Sequence, residues 1–296
     1  MKKLIIKEKY DNKKVNSVIL DNFKDLNPNV LYKALRKKDI RINNVKISEN
    51  TIVHTGDEIT IYIVDELLYN KPNIELKVLY EDKNIIAFYK PEGISVTEDN
   101  SSSHTFTSIV KEQFGNNLEP CHRLDRNTDG IILYSKNEKT LEILLEKFKN
   151  KEIEKHYIAR VYGFIRKEHE ILIDYLFKDS KKSMVYISHS PKKDYLQIIT
   201  EYTVISRNTD ENTTIIDVNL HTGRTHQIRA HLAYIDYPII GDGKYGNNEI
   251  NKKFGMKTQD LTSYKIKFKF KTNSGILNYL NDKEIVINNV LDKYVQ

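Results

Sequence analysis

Residues 119–136 read EPCHRLDRNTDGIILYSK, an arrangement of charged side chains placed just ahead of a strand-like run. Asp125 stands between Arg123 and Arg126, and Asp129-Gly130 is a turn signal leading into Ile131, Ile132 and Leu133. A carboxylate set among cations suits a nucleophile or a general base. On charge pattern alone the plainer reading, a surface loop tied by ion pairs, stands ahead. Two further patterns invite chemistry. Gly241, Asp242, Gly243, Lys244, Tyr245 and Gly246 fit the dinucleotide fingerprint G-x-G-x-x-G, yet no βαβ unit follows and the next residues are NNEINKK, so a turn is expected. His221, His226 and His231 recur every five residues. That interval puts neighbours about 140° apart on a helix and on opposite faces of a strand, which predicts capping, packing or phosphate contact and no metal site.

The elements that must position these residues follow from pattern and composition. The chain has 296 residues, 39% of them hydrophobic, with only 11 Gly and 6 Pro, which excludes disordered and fibrous classes and suits two unequal domains. A net charge of +6 permits a polyanionic partner. Cys121 has no second thiol to pair with, and the opening MKKLIIKEKYDNKK is too short in apolar residues for a signal core or a span of about 20 residues. A reducing, cytoplasmic location is expected. Basic residues concentrate between Leu31 and Lys46, where PNVLYKALRKKD spaces Val30, Leu31, Ala34 and Leu35 helically and leaves Lys33, Arg36 and Lys37 an outer face. IRINNVKI reads as a hairpin around Asn43-Asn44, TGDEITIYIV as a turn and strand, and the proline-containing DELLYNKPNIELK as a linker. Beyond Val78 come strand-like runs within LKVLYEDKNIIAFYK, GIILYSK, HYIARVYG, YLQIITEYTVIS, TTIIDVNL and YKIKFKFK. TLEILLEKFKN places Leu141, Leu144, Leu145 and Phe148 on one helical face. Few helices without regular βαβ alternation predict an α+β fold, with a mixed, largely antiparallel central sheet flanked by helices.

Two resemblances sharpen this reading. LYKALRKKDIRINNVKI followed by TGDEITIYI resembles the alpha-L RNA-binding module first named for small-subunit ribosomal protein four, over about residues 12–64. It implies that Lys33, Arg36, Lys37 and Arg41 meet structured RNA. His122, Arg123, Leu124, Asp125, Thr128 and Gly130 reproduce the H-R-L-D-x-x-T-x-G signature of RluA-type pseudouridine synthases, departing only at Asp129, where many members carry serine. Tyr89 to Val96 is similar to that family's lysine-proline-x-glycine motif, and Lys155, His156, Tyr157, Ile158 and Ala159 to its K-x-Y-x-A strand. TGRTHQIRAHLAYIDYPIIGDGKYG, Thr222 to Gly246, is similar to its long third motif.

The resemblance implies a pseudouridine synthase fold over residues 79–296, preceded by the RNA-binding module at 1–66 and a linker at 67–78. It implies isomerisation of uridine to pseudouridine in RNA without metal or other cofactor. Asp125 would be the nucleophile, at the uracil ring or the anomeric carbon; Arg229 its ion-pair partner; and Tyr157 an aromatic against the base. Arg123 would enter the space left by a flipped base, with phosphate binding as its weaker alternative. His122, Lys90 and Thr225 are placed among substrate contacts, with Leu232 lining the pocket or simply filling core. The architecture points to large-subunit ribosomal RNA, in the RluC-like branch, and to a monomer without membrane partners. Transfer RNA, several RNAs, or a non-catalytic role in ribosome assembly are the competing readings.

Overall fold

The computed structural model describes residues 1–68, 74–97 and 105–294. The chain divides into two compact units, Met1–Glu75 with Thr97–Ile109, and Leu76–Val96 with Val110–Gln296. Among the described residues no helix is long and apolar enough to cross a membrane.

The small unit contains β1 (Lys2–Ile5), β2 (Lys13–Lys14), α1 (Val15–Asn22), α2 (Pro28–Arg36), β3 (Ile40–Ile42), β4 (Val45–Ile47), β5 (Ile52–Val53), β6 (Glu58–Ile61) and α3 (Asp65–Leu68). Asn27 caps α2 by accepting a hydrogen bond from the Asn29 amide at 2.9 Å, and Pro28 supplies the fixed φ that a first helical turn tolerates. Leu31, Ala34 and Leu35 face the core. Asn43 and Asn44 take φ of 50° and 64°, the double left-handed turn whose twist matches a two-residue hairpin between β3 and β4. The sheet runs β1-β6-β3-β4. Leu68 is fully buried in this unit's core, so the chain expected to be linker from residue 67 still packs there. Residues 69–73 of that stretch lie outside the described residues.

The second unit begins with β7 (Lys77–Glu81), whose Lys77 and Val78 pair with Tyr89 and Phe88 and are therefore strand rather than linker. It continues with β8 (Ile85–Lys90), then, after α4 (Phe106–Phe114), of which only the part from Val110 belongs to this unit, β9 (Glu119–Pro120), β10 (Asp129–Ser135), α5 (Glu138–Lys149) and β11 (Ile153–Tyr162). A long meander follows: β12 (His169–Asp179), β13 (Met184–Ser188), β14 (Leu196–Asn208) and β15 (Thr213–Leu220). The chain then forms α6 (Gln227–Tyr234), α7 (Asn248–Lys253), β16 (Leu261–Phe268) and β17 (Glu284–Val286). The strands make one sheet, β13-β12-β14-β15-β11-β16-β10-β8-β7, with β17 beside β16 and β9 beside β10. Every pairing is antiparallel except β10 with β16. The mixed, largely antiparallel sheet is therefore the one the sequence pattern predicts.

That parallel contact explains Gly130. Its φ is 114°, and a Cβ there would lie 2.1 Å from the Ser263 carbonyl oxygen, so only glycine lets the chain leaving Asp125 reach β16. On α5 one expectation is corrected. Leu145 is 48% exposed, while Thr140, Leu144 and Lys147 are buried, because the inward stripe is centred on Leu144 and turns Leu145 to solvent.

Candidate active site

Asp125 sits in the loop between β9 and β10, and the loop is fastened on several sides. The Cys121 amide donates to Leu133 O at 2.8 Å, and the Leu133 amide donates to His122 Nε2 at 3.1 Å. Lys90, at the end of β8, is fully buried and donates from Nζ to the carbonyls of Pro91 (2.7 Å), Ile94 (3.0 Å) and Arg126 (3.2 Å). Lys90 is therefore corrected from substrate contact to staple: all its donors are spent beneath the loop. Burial lowers its pKa to about 8, although the charges of Asp129, Asp125 and Glu92 oppose that. Asp129 is held by Tyr89 and by Thr262 Oγ1 at 2.7 Å, so its carboxylate ties the loop to β8 and β16.

Arg229, buried on α6, joins this loop to a second one. Its Nη1 donates to Asp125 Oδ2 at 3.1 Å, while Nε and Nη2 grip Asp242 at 2.7 and 2.9 Å. Asp242 is fully buried and also accepts from the amides of Lys244 (2.8 Å) and Tyr245 (3.0 Å). Burial alone would raise the Asp242 pKa, but the Arg229 hydrogen bonds and charge bring it down. Burial likewise works against the Arg229 cation, and its two carboxylate partners outweigh that and raise its pKa. One arginine thus serves two carboxylates in unequal fashion. Asp242 takes a bidentate grip, and Asp125 receives a single bond that fixes one oxygen. Among the described residues Asp125 Oδ1 has no hydrogen bond, which leaves it able to attack a neighbouring atom.

The space before Asp125 is a cavity of about 340 Å3, within the usual span of small-molecule sites. Asp125, Tyr157, Arg229, Arg123, His122 and Thr225 all line it, so the structure brings these expected residues together. Leu124, Leu220, Ile228 and Leu261 add apolar wall. Tyr157 lies on β11 opposite a bulge of β16, where Tyr264 is the extra residue between the His156–Lys265 and Tyr157–Ser263 pairs, while β11 keeps its regular alternation against β15. Burial, then the nearby Asp125 charge, raise its pKa, so the phenol keeps its proton at neutral pH. Two histidines are neutral there too. Burial pushes His122 down to about 3, with Lys155 adding to the effect, and its Nε2 is occupied as the acceptor from Leu133. Burial pushes His226 down to about 4. The Val185 amide donates to Tyr245 Oη at 3.0 Å, and the same oxygen shares a hydrogen bond with His226 Nδ1 at 2.9 Å.

Leu232 is corrected to core: it is fully buried and takes no part in the cavity wall. Lys33, Arg36 and Lys37 are exposed on and just after α2, and Arg41, half-buried, holds its guanidinium 4.7 Å from the Tyr62 ring centre. These four belong to the small unit. Sequence reasoning missed Asp242, His226 and Tyr245. Asp242 lies within the glycine-rich turn that the sequence predicts: Gly241 has φ 83°, and a Cβ would lie 1.9 Å from Thr258 O. The available signal was charge balance, since a buried arginine facing one half-exposed carboxylate calls for a second. Of the five-residue histidine series, His221 meets Glu201 at 2.7 Å, and His231 meets Asp174 and Thr200 at 2.9 Å each.

Comparison with known proteins agrees with this geometry. Residues 84–234 match the family model described as RNA pseudouridylate synthase. A Buchnera aphidicola protein named ribosomal large subunit pseudouridine synthase C is 30% identical over 81% of this chain and 79% of its own. A Saccharomyces cerevisiae protein named mitochondrial tRNA pseudouridine(32) synthase is 29% identical over 82% of this chain but only 53% of its own, so the chain spans about half of that relative. Among solved structures, human RNA pseudouridylate synthase domain containing 1 shares the fold, with a TM-score of 0.58 at 19% identity over 75% of this chain and 94% of its own.

Proposed function

The chain belongs to the RNA pseudouridylate synthase family, and from that premise we propose that it isomerises selected uridines of large-subunit ribosomal RNA, with Asp125 as the nucleophile. The observation that carries the proposal is the unequal sharing of Arg229, which anchors Asp125 Oδ2 and leaves Oδ1 without a hydrogen bond in a residue that lines the cavity. A uridine in a stem or folded loop reaches that oxygen only after leaving its stack, at a cost of a few kcal/mol. In this reading exposed Arg123 enters the vacated space, where its planar cation stacks and hydrogen-bonds. The Asp125 oxygen adds to the nucleotide, the bond from the base nitrogen to the sugar breaks, and the base turns between Tyr157 and the apolar wall. Its carbon 5 then joins the sugar and gives up its hydrogen as a proton, the freed base nitrogen takes up a proton, and the bond to the Asp125 oxygen breaks to return the carboxylate. Atoms are conserved and nothing is oxidised or reduced, so the reaction itself calls for no redox partner.

The choice of ribosomal RNA rests on the Buchnera relative, whose match extends over most of both chains. The small unit, in this reading, is an alpha-L module whose Lys33, Arg36, Lys37 and Arg41 meet RNA phosphates, and the protein works as a cytoplasmic monomer. The test is tritium release from ribosomal and transfer RNA labelled at uridine carbon 5. Wild type should release tritium from the large-subunit RNA and Asp125→Asn should release none, while still binding RNA. Release from transfer RNA alone would move the substrate, and equal release by the variant would remove Asp125 from the chemistry.

A further inference from the structure

Lys155 lines the cavity but takes no part in the carboxylate cluster. It stands two residues before Tyr157 on β11, so the two side chains leave the strand on the same face. Its ammonium lies 5.7 Å from the centre of the Phe148 ring. A Cβ placed on exposed Gly223 would be 3.1 Å from Nζ, which puts the charge against the backbone of the turn leading into α6. Among the described residues the Lys155 ammonium has neither a carboxylate partner nor a hydrogen bond. The ionisable group next to it, His122, is held neutral by burial and by Lys155 itself. Burial lowers the Lys155 pKa to about 8, the mark of an ammonium drawn out of water without a counter-charge.

The contrast with Arg229 locates what is missing. Arg229 is satisfied by two carboxylates deep in the site, whereas Lys155 sits beside the exposed Gly223, Lys149 and Arg224 of the cavity rim. A nucleotide entering base first leaves its backbone at that rim, and the backbone carries the substrate's only full negative charge. A compact ammonium on a flexible stem serves a phosphate as a point charge. We propose that Lys155, seated against the Gly223 turn and the Phe148 ring, is a phosphate subsite that takes the phosphodiester next to the flipped nucleotide. Lys155 thereby holds the target nucleotide by its backbone while the base is detached and turning. This rests on the isomerase reading of the same cavity, and it adds a residue that acts on the backbone rather than on the base.

Salt dependence separates a phosphate contact from a packing role. Each phosphate neutralised by a cation contributes about 0.7–0.9 to the slope of log affinity against log salt. Tritium release from a transcript of large-subunit ribosomal RNA, and from transfer RNA, would be measured between low and physiological salt. Wild type, Lys155→Gln and Lys155→Arg would be compared, with thermal midpoints to establish folding. Lys155→Gln should raise KM about tenfold at low salt, more than it lowers kcat, and should reduce the magnitude of the slope of log(1/KM) by about one contact. Lys155→Arg should keep the wild-type slope. A folded Lys155→Gln with the wild-type slope, whatever its kcat, would overturn the subsite and leave the isomerase reading standing. A wild type that releases no tritium from either RNA would overturn that reading and the subsite with it. If Lys155→Gln does not fold, Lys155→Met, which keeps an apolar stem on Phe148 and removes the charge, decides the matter through its own slope: one contact fewer supports the subsite, and the wild-type slope overturns it.

Discussion

Arg229 has three donors in use and two carboxylates to serve, and the division between them sets the state of Asp125. A bidentate grip on Asp125 would occupy both of its oxygens; the grip on Asp242 prevents that and also stops the guanidinium from turning. Lysine could supply the charge at position 229 but not the planar fork. Asp242→Asn keeps the size of the side chain while removing the charge that holds Arg229 in this pose. The expected result is a loss of about tenfold or more in kcat, with KM changed much less. Stability should fall by about 3 kcal/mol, because a buried cation loses its main partner. Tritium-release kinetics beside a denaturant titration reads both, and wild-type kcat in this variant would mean that Arg229 needs no second carboxylate.

At the scale of elements, the junction of α5 with β11 forms one wall of the cavity, through Phe148, Lys149 and Lys155. The junction is pinned by a buried ion pair. Lys147 Nζ meets Glu152 Oε2 at 2.8 Å, Thr272 O at 2.9 Å and Thr272 Oγ1 at 2.6 Å, and Glu152 also accepts the amides of Lys271 (2.8 Å) and Thr272 (3.2 Å). Burial would raise the Glu152 pKa, but Lys147 and the Lys271 and Thr272 donors carry it down to about 2. A depressed folded-state pKa contributes stability that is present above the unfolded value, about 4.3, and is lost as pH falls toward 2. The thermal midpoint should therefore fall across that window, and Glu152→Gln should fall less steeply there; parallel curves would refute the assignment. Nothing in TLEILLEKFKN announces this pair, since Lys147 reads as a solvent residue, and the apolar spacing that selects Leu144 also selects the exposed Leu145. The hairpin at Asn43-Asn44 was legible because its turn chemistry is local. Helix α6 was not: Gln227, Arg229 and His231 are buried along with Ile228, Ala230 and Leu232, so polar residues paired inside the protein erase the apolar period. The loop carrying Asp125 was legible by its motif, but the role of Lys90 depends on three carbonyls that only the folded chain assembles.

For the whole molecule, the chemistry and the densest run of positive charge are carried by different units. Asp125, Tyr157 and Arg229 belong to the unit with the eleven-stranded sheet, whereas Lys33, Arg36 and Lys37 are exposed on the small one. The residues that line the cavity all belong to one unit, so under the proposed function the small unit would act on the encounter with RNA rather than on bond breaking. Exposed cations cost little to replace and contribute mainly through released counterions. Replacing Lys33, Arg36 and Lys37 together by glutamine should flatten the salt dependence of KM by about two to three contacts' worth. KM at physiological salt should rise about tenfold or more, and the thermal midpoint should move little. The same substitutions should matter less for an RNA fragment too short to reach beyond the cavity, which separates a docking role from a general electrostatic one. A salt slope equal to wild type on the full-length transcript would show that these three residues meet no phosphate, and would remove the small unit's basic face from RNA recognition.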